Sequence, residues 1–355
     1  MTRRPLARKT AKARLRRRLM AAMGAGVTLL VALALTTLAA LFVYLGPGPA
    51  ARTGGATTVI LRPGAGVQAI AADLRSARVI GSDTAFILAA ELTGAGRRLK
   101  AGEYAFVSRE SLRTVLEAIA EGRVVRHFIT IPEGFTSEAV MDGLMRADYL
   151  IGVAPAPPEG SVLPETYEVR RGDDRSAVLR RMMDARDRLL ADLWAHRRPG
   201  LPYRTPEDAV ILASIVEKET ARPDERPRVA AVFINRLRDG MRLGSDPTVV
   251  YGLTGGKPLG HGLRVSELQS QTPYNTYVAV GLPPTPICNP GRASLAAALD
   301  PVETGDLYFV ANGTGGHSFS ATLADHLENV ARWRAIETAR NDCRATTVPG
   351  RPPSC

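Results

Sequence analysis

From Leu19 to Ala51 the chain carries no charged side chain, and the middle of that run, Met20 to Leu45, is rich in Leu, Ala, Val and Thr. A helix of roughly 20 such residues crosses the hydrocarbon core of a bilayer, because its backbone groups all bond within the segment. Directly before it stand Arg3, Arg4, Arg8, Lys9, Lys12, Arg14, Arg16, Arg17 and Arg18, with no acid among them. Subtracting these nine charges from the net +11 leaves only +2 for everything that follows. A basic run can serve nucleic-acid binding, but beside a spanning segment it sets topology, so no nucleic-acid partner is expected. The tail, 1–19, is placed in the cytoplasm and the rest of the chain on the outer side. A cleaved signal peptide is the rival, needing a short apolar core and a small-residue cleavage site. The long core ending in Ala-Leu-Phe-Val-Tyr fits an anchor, while Gly48-Pro49-Ala50 keeps the rival open.

With 355 residues, 45% apolar and 23% charged, the chain can form packed cores and has room for two modest domains. After the anchor, Gly46 to Ala56 is Gly, Pro, Ala and Thr, which reads as a linker. Thr57–Arg62 reads as a strand, and Val67, Ile70, Ala71 and Leu74 have helical spacing. Ser82 or Asp83 caps a second helix through Leu92, and Gly102–Val107 reads as a closing strand. Strand, helix, helix, strand is the order of LysM-type glycan-binding modules. A helix over Ser111–Ala120 follows, then a strand at Val124–Ile131. Ala177–Trp194 reads as a long charged surface helix. The three cysteines, Cys288, Cys343 and Cys355, form no disulfide framework. Cys343 and Cys355 either pair near the C-terminus or remain thiols.

The segment from Thr205 onward carries the chemistry. Pro206 and Glu207 open a helix that must stop before Pro223. Leu212, Ile215, Val216 and Glu219 fall at i, i+3, i+4 and i+7, so Glu219 continues the apolar face. Glu217 lies about 200° around the helix and is expected to face solvent. A carboxylate on a buried stripe is costly unless neutral or paired. Apolar surroundings and the negative end of the helix dipole both favour protonated Glu219, and a raised pKa suits a general acid near neutral pH. The alternative is that Glu219 bonds a nearby backbone group or arginine and merely holds helices together.

Several blocks then carry a resemblance. Ile211-Leu-Ala-Ser-Ile-Val-Glu-Lys-Glu-Thr220, Val232-Phe-Ile-Asn-Arg-Leu237 and Ser245-Asp-Pro-Thr-Val-Val-Tyr-Gly252 are three of them. Thr272-Pro-Tyr-Asn-Thr-Tyr277, Gly281-Leu-Pro-Pro284 and Leu307-Tyr-Phe-Val310 are the others. In this order they resemble the endolytic murein transglycosylases, the MltG or YceG-like family, over about Thr57 to Arg332. Glu219-Thr220 also resembles the Glu-Ser pair of the wider lytic transglycosylases, whose glutamate is catalytic. The resemblance implies cleavage of the bond between N-acetylmuramic acid and N-acetylglucosamine without water, leaving a 1,6-anhydro ring. Glu219 would protonate the leaving oxygen and then take the proton of the C6 hydroxyl. That nucleophile is intramolecular, so one carboxyl suffices where hydrolases need two. Glu217 and Asp246 are the candidates if a second is used. Tyr251, Tyr274 and Tyr277 offer ring faces and hydroxyls to sugar, Asn275 a donor-acceptor pair, and Thr220 a group to orient the acid. Each also has a purely structural reading, as a packed tyrosine or a turn asparagine. Gln271 and Asn235 are lesser candidates.

Other signals lead elsewhere. Gly313-Thr-Gly-Gly-His317 between two strand-like runs reads as a hairpin turn, and Gly256-Lys257 lacks the rest of a P-loop. The five histidines show no ligand spacing, so no metal is expected, and no serine sits in a nucleophile elbow. Members of this family have also been labelled aminodeoxychorismate lyases, which would require a Schiff-base lysine in a cytoplasmic site. Lys218 points away from Glu219 on the helix and the domain is placed outside, so no cofactor is expected. The expected fold is α+β: a transmembrane helix over 20–45, a linker over 46–56, a LysM-like βααβ unit over 57–123, a mixed α+β catalytic domain over 124–340 and a loose tail over 341–355. The expected partners are peptidoglycan strands, the lipid bilayer of a bacterial inner membrane and cell-wall synthases such as penicillin-binding proteins. A non-catalytic peptidoglycan-binding scaffold that recruits those synthases is the alternative of a different class.

Overall fold

Apolar patterning and caps account for most of the observed elements. The computed structural model describes residues 6–52 and 54–346, with side chains at 16–17, 19–52 and 54–340. Helix α1 spans Leu6–Leu45. Its segment Leu19–Leu45, 27 residues, is the one helix among the described residues long and apolar enough to cross a membrane. The chain divides into two units, Met1–Arg126 and His127–Cys355, and its architecture is mixed α+β.

In the first unit, β1 (Ala56–Leu61) leads into α2 (Val67–Ser76) and α3 (Asp83–Leu92), then β2 (Gly102–Val107) and α4 (Leu112–Glu121). β1 and β2 pair antiparallel, with Ala56 opposite Val107 and Leu61 opposite Gly102. The inward faces of strands and helices meet in one core that includes Leu61, Leu74, Phe86, Tyr104 and Leu116. Ser82 caps α3 by accepting from the Ala85 amide at 3.3 Å. The stretch read as a linker is bonded to this unit: Gly48 donates its amide to the Arg109 carbonyl and Arg109 returns one to Pro49, each at 3.1 Å. The approach is close enough that a Cβ at position 48 would lie 2.2 Å from the Glu110 carbonyl oxygen.

The second unit begins with β3 (His127–Thr130), paired antiparallel to β4 (Thr166–Val169), with α5 (Ser137–Arg146) between them. The strand expected over Val124–Ile131 is shorter, because Val125 donates instead to the Glu103 carbonyl of the first unit at 2.7 Å. There follow α6 (Arg175–Ala195), α7 (Pro206–Glu219), α8 (Arg226–Arg238), α9 (Asp246–Thr254), α10 (Val265–Leu268) and α11 (Arg292–Leu299). Hairpin β5 (Tyr308–Ala311) and β6 (His317–Ser320) precedes α12 (Leu323–Thr346). The Gly-rich run Gly313–Gly316 lies in that hairpin's loop, with Ala311 opposite His317. α6 is less superficial than its charge suggested, since Val178, Leu179, Met182, Leu189 and Leu190 are buried. α12 continues to Thr346, past the expected start of the tail. The question of whether Cys343 and Cys355 pair lies outside the described side chains, whereas Cys288 is a buried free thiol.

Helix α7 occupies the centre of the second core. Thr205 opens it with a capping box, its hydroxyl accepting from Asp208 while Asp208 accepts from the Thr205 amide, a cap that contributes about 1 kcal/mol. Every residue from Ala209 to Val216 is buried. Burial of side chains such as Leu212 and Ile215, each 0% exposed, stabilises by about 2 kcal/mol apiece. The helix ends at Glu219, where Thr220 turns to extended backbone (φ −139°, ψ 131°) ahead of Pro223.

Candidate active site

The last turn of α7 carries two glutamates with different surroundings. Glu217 does not face solvent as the helical spacing suggested: its side chain is 5% exposed and pairs with Arg226 at 3.1 Å. Its other oxygen accepts the Gly291 amide at 2.9 Å. Arg226 is itself 9% exposed and also pairs with Glu133 at 3.1 Å. Helical spacing misplaced Glu217 because Arg226 and the Gly291 amide cover its side of α7, while Lys218 beside it is the exposed residue of the last turn.

Glu219 sits where the C-terminus of α7 meets the N-terminus of α9. Ser245, the residue before α9, donates its hydroxyl to Glu219 Oε1 at 2.5 Å. Ser245 is 1% exposed and is held by a Thr276 hydroxyl that accepts its amide at 2.9 Å. Gly244, with φ +60°, makes the turn that brings this serine to the acid, a conformation natural only to glycine. Burial is the main influence on Glu219 and the Asp246 charge adds to it. The Ser245 hydrogen bond and the charges of His317 and Arg236 oppose them, and the balance raises the carboxyl to about 7. Near neutral pH this group both holds and releases a proton.

Asp246 accepts the Tyr277 hydroxyl at 2.6 Å. Arg236 is fixed by donating to the Leu307 carbonyl at 2.7 Å and the Leu243 carbonyl at 2.5 Å. His317 shares a proton with Glu225 Oε2 at 2.7 Å and donates its amide to Oε1 at 2.9 Å. Burial raises the Glu225 carboxyl, but its His317 hydrogen bonds outweigh that and hold it below the ordinary range.

Of the residues singled out from sequence, Glu219, Asp246 and Tyr277 come together here. Tyr251 and Tyr274 form a separate edge-to-face pair with ring centres 4.9 Å apart, and their hydroxyls bond Glu159 at 3.2 Å and Thr285 at 2.8 Å. Asn275 is 0% exposed. Its amide donates to the Leu268 and Ser270 carbonyls and its carbonyl accepts the Tyr277 amide, so it fixes the loop that carries Tyr277. Thr220 donates to Glu225 at 3.4 Å and accepts the Arg222 amide at 3.1 Å, which ties it to the His317 partner rather than to Glu219. Asn235 bonds the Thr304 and Asp306 carbonyls, and Gln271 bonds the Gln269 carbonyl. Ser245, Arg236, His317 and Glu225 were not singled out. Ser245-Asp-Pro reads as an ordinary helix cap, and His317 closes a turn. Only the distant chain crossings give them roles.

The model of the YceG-like family matches residues 59–332, and the chain belongs to that family. An endolytic murein transglycosylase of Bacillus subtilis (strain 168) is 44% identical over 117 residues, 32% of this chain and 31% of that protein. One of Streptococcus pneumoniae (serotype 2, strain D39) is 31% identical over 179 residues, 49% of this chain and 32% of that protein. The matched stretch thus spans about a third of the length of these curated relatives. The crystal structure of a yceG-like protein from Listeria monocytogenes aligns with a TM-score of 0.50 at 27% identity, covering 78% of this chain and 99% of that one.

Proposed function

We propose that this chain is a membrane-anchored endolytic lytic transglycosylase that cuts the bond between N-acetylmuramic acid and N-acetylglucosamine within peptidoglycan strands. The observation that carries the reading is Glu219, a carboxyl raised to about 7 on a helix terminus with one serine donor. In its protonated form Glu219 gives its proton to the glycosidic oxygen as the bond from that oxygen to the muramic C1 breaks. The C6 hydroxyl oxygen of the same sugar bonds to C1, and the Glu219 carboxylate takes the hydroxyl proton, which restores the acid. Attack from within the substrate replaces water at high effective concentration. Positive charge develops at the ring, and the Asp246 carboxylate beside Glu219 is placed to favour it. Ser245 acts as a positioning residue, holding Oε1 in one direction.

The apolar span of α1 serves as anchor with the basic tail in the cytoplasm, and the first unit, with its strand–helix–helix–strand order, acts as a LysM-like glycan-binding module. Tyr251, Tyr274, Tyr277, Asn275 and Thr220 form or support the sugar-binding walls, and cell-wall synthases are the partners that supply nascent strands. A hydrolytic variant of the reading uses Asp246 as a second carboxylate to activate water.

Mass spectrometry of peptidoglycan digested by the full chain in detergent tests the reading. The expected products carry 1,6-anhydro-muramic ends, absent with Glu219→Gln. Ordinary reducing ends would instead establish the hydrolytic variant, and binding without new ends would establish a scaffold.

A further inference from the structure

Helix α3 is apolar on two sides. Phe86 and Ala90 face the core of the first unit, both 0% exposed. Ala85, Leu88, Ala89 and Leu92 form a second stripe at i, i+3, i+4 and i+7, off the line of Glu91. Ala85 and Ala89 are half-buried against the core, but the two large side chains of the stripe are uncovered, Leu88 54% and Leu92 79% exposed. A helix hydrophobic all round is buried in protein or in a membrane.

The stripe forms one wall of an apolar groove of about 490 Å³ whose other wall is the end of α1, from Thr37 to Tyr44. Three residues of the lining carry hydroxyls, Thr37, Tyr44 and Thr93, and the two threonines are already spent. Thr37 donates to the Leu33 carbonyl at 2.8 Å and Thr93 to the Ala89 carbonyl at 2.7 Å. Besides the Tyr44 ring, what remains on offer is methyl and methylene surface, which suits acyl chains and not water.

Length fixes the depth of this groove. The 27 apolar residues of α1 reach about 40 Å at roughly 1.5 Å per residue, whereas the hydrocarbon core is about 30 Å thick. With the basic cluster ending at Arg18 on the inner side, the surplus falls at the outer end, beside α3. Tyr44, in that end, is the type of ring that settles at a bilayer interface. The Gly48–Arg109–Pro49 backbone bonds leave little freedom between α1 and the unit that carries α3. Exposed Arg97 and Arg98, just past α3, can reach anionic headgroups.

We propose that the Ala85–Leu88–Ala89–Leu92 face of α3 is a second membrane contact, seated in the outer-leaflet interface with lipid acyl chains filling the groove against α1. It rests on the reading of α1 as a membrane anchor. The first unit is then held against the bilayer surface and does not swing from a tether.

The full chain, in vesicles of phosphatidylethanolamine and phosphatidylglycerol, carries the photo-crosslinking residue p-benzoylphenylalanine at Leu88, Leu92, Leu35 or Glu121. Leu35 lies inside the span, and Glu121 closes α4 at the end away from Leu112, which lines the groove. After irradiation, mass spectrometry reads phospholipid adducts. The expected result is adducts at Leu35, Leu88 and Leu92, with yields severalfold above Glu121. Adducts at Leu35 without any at Leu88 and Leu92 would overturn the proposal while leaving the anchor intact. Crosslinks from Leu88 or Leu92 to protein instead of lipid, or equal lipid yield at Glu121, would also overturn it. Absence of adducts at Leu35 would remove the anchor and the proposal together.

Discussion

Glu217 and Glu219 stand two residues apart on the last turn of α7, and their two environments turn the same side chain to different ends. Around Glu217 the fold supplies a buried arginine and a backbone amide, so the charged form is met at both oxygens. Around Glu219 it supplies one serine hydroxyl and, nearby, the like charge of Asp246. A buried carboxyl that is fully paired is a clasp between helices. One that is underpaired keeps its proton to near neutral pH and becomes an acid.

The contrast can be broken by exchanging each carboxyl for its amide. Glu219→Gln is expected to lower formation of anhydro-muramic ends by about a thousandfold, with the fold retained, as read by product analysis alongside circular dichroism. Glu217→Gln leaves Arg226 with a weaker set of partners in a buried place. Its expected effect is a loss of about 3 kcal/mol in unfolding free energy, measured by urea denaturation, with activity falling only as the folded fraction falls.

The two changes also differ in their dependence on pH. The Glu219 carboxyl is raised from 4.5 to about 7 in the folded chain, so the unfolded chain releases this proton first. The stability that Glu219 contributes is fully present below pH 4.5 and is lost as pH rises through about 7. Above pH 7 the Glu219→Gln chain is therefore expected to exceed the wild type in stability, by about 3 kcal/mol at most. Paired urea titrations at pH 5 and pH 8 read that gap.

The smallest effects sharpen the Glu219 side alone. Asp246 raises the acid and Ser245 lowers it, so the alkaline limb of kcat/KM should move to lower pH in Asp246→Asn and to higher pH in Ser245→Ala. Rates measured above neutral pH would then differ between the two by roughly tenfold after each is scaled to its own maximum.

Much of this was legible in the chain before it folded. The i, i+3, i+4, i+7 series placed Glu219 on a packed stripe, because helical spacing records which side chains share a face. The Ser82 cap, the start of α7 at Pro206 and the turn at Gly313–Gly316 follow from local chemistry in the same way. Glu217 was misplaced because spacing divides a helix into faces but does not show that Arg226 and the Gly291 amide, from elsewhere in the chain, cover this one. Ser245, Arg236 and His317 reach Glu219 from the start of α9, from α8 and from β6, and no local pattern records a meeting of distant segments. Asn275 was legible as a polar residue in the right loop, but whether its amide met substrate or backbone depended on the Leu268 and Ser270 carbonyls.

Infrared titration of the full chain in detergent, taken as the difference between wild type and Glu219→Gln, tests the central contrast most directly. The band of a protonated carboxyl should appear in that difference and fade with a midpoint near 7. A midpoint at the ordinary value of 4.5 would contradict the role of Glu219 as the acid.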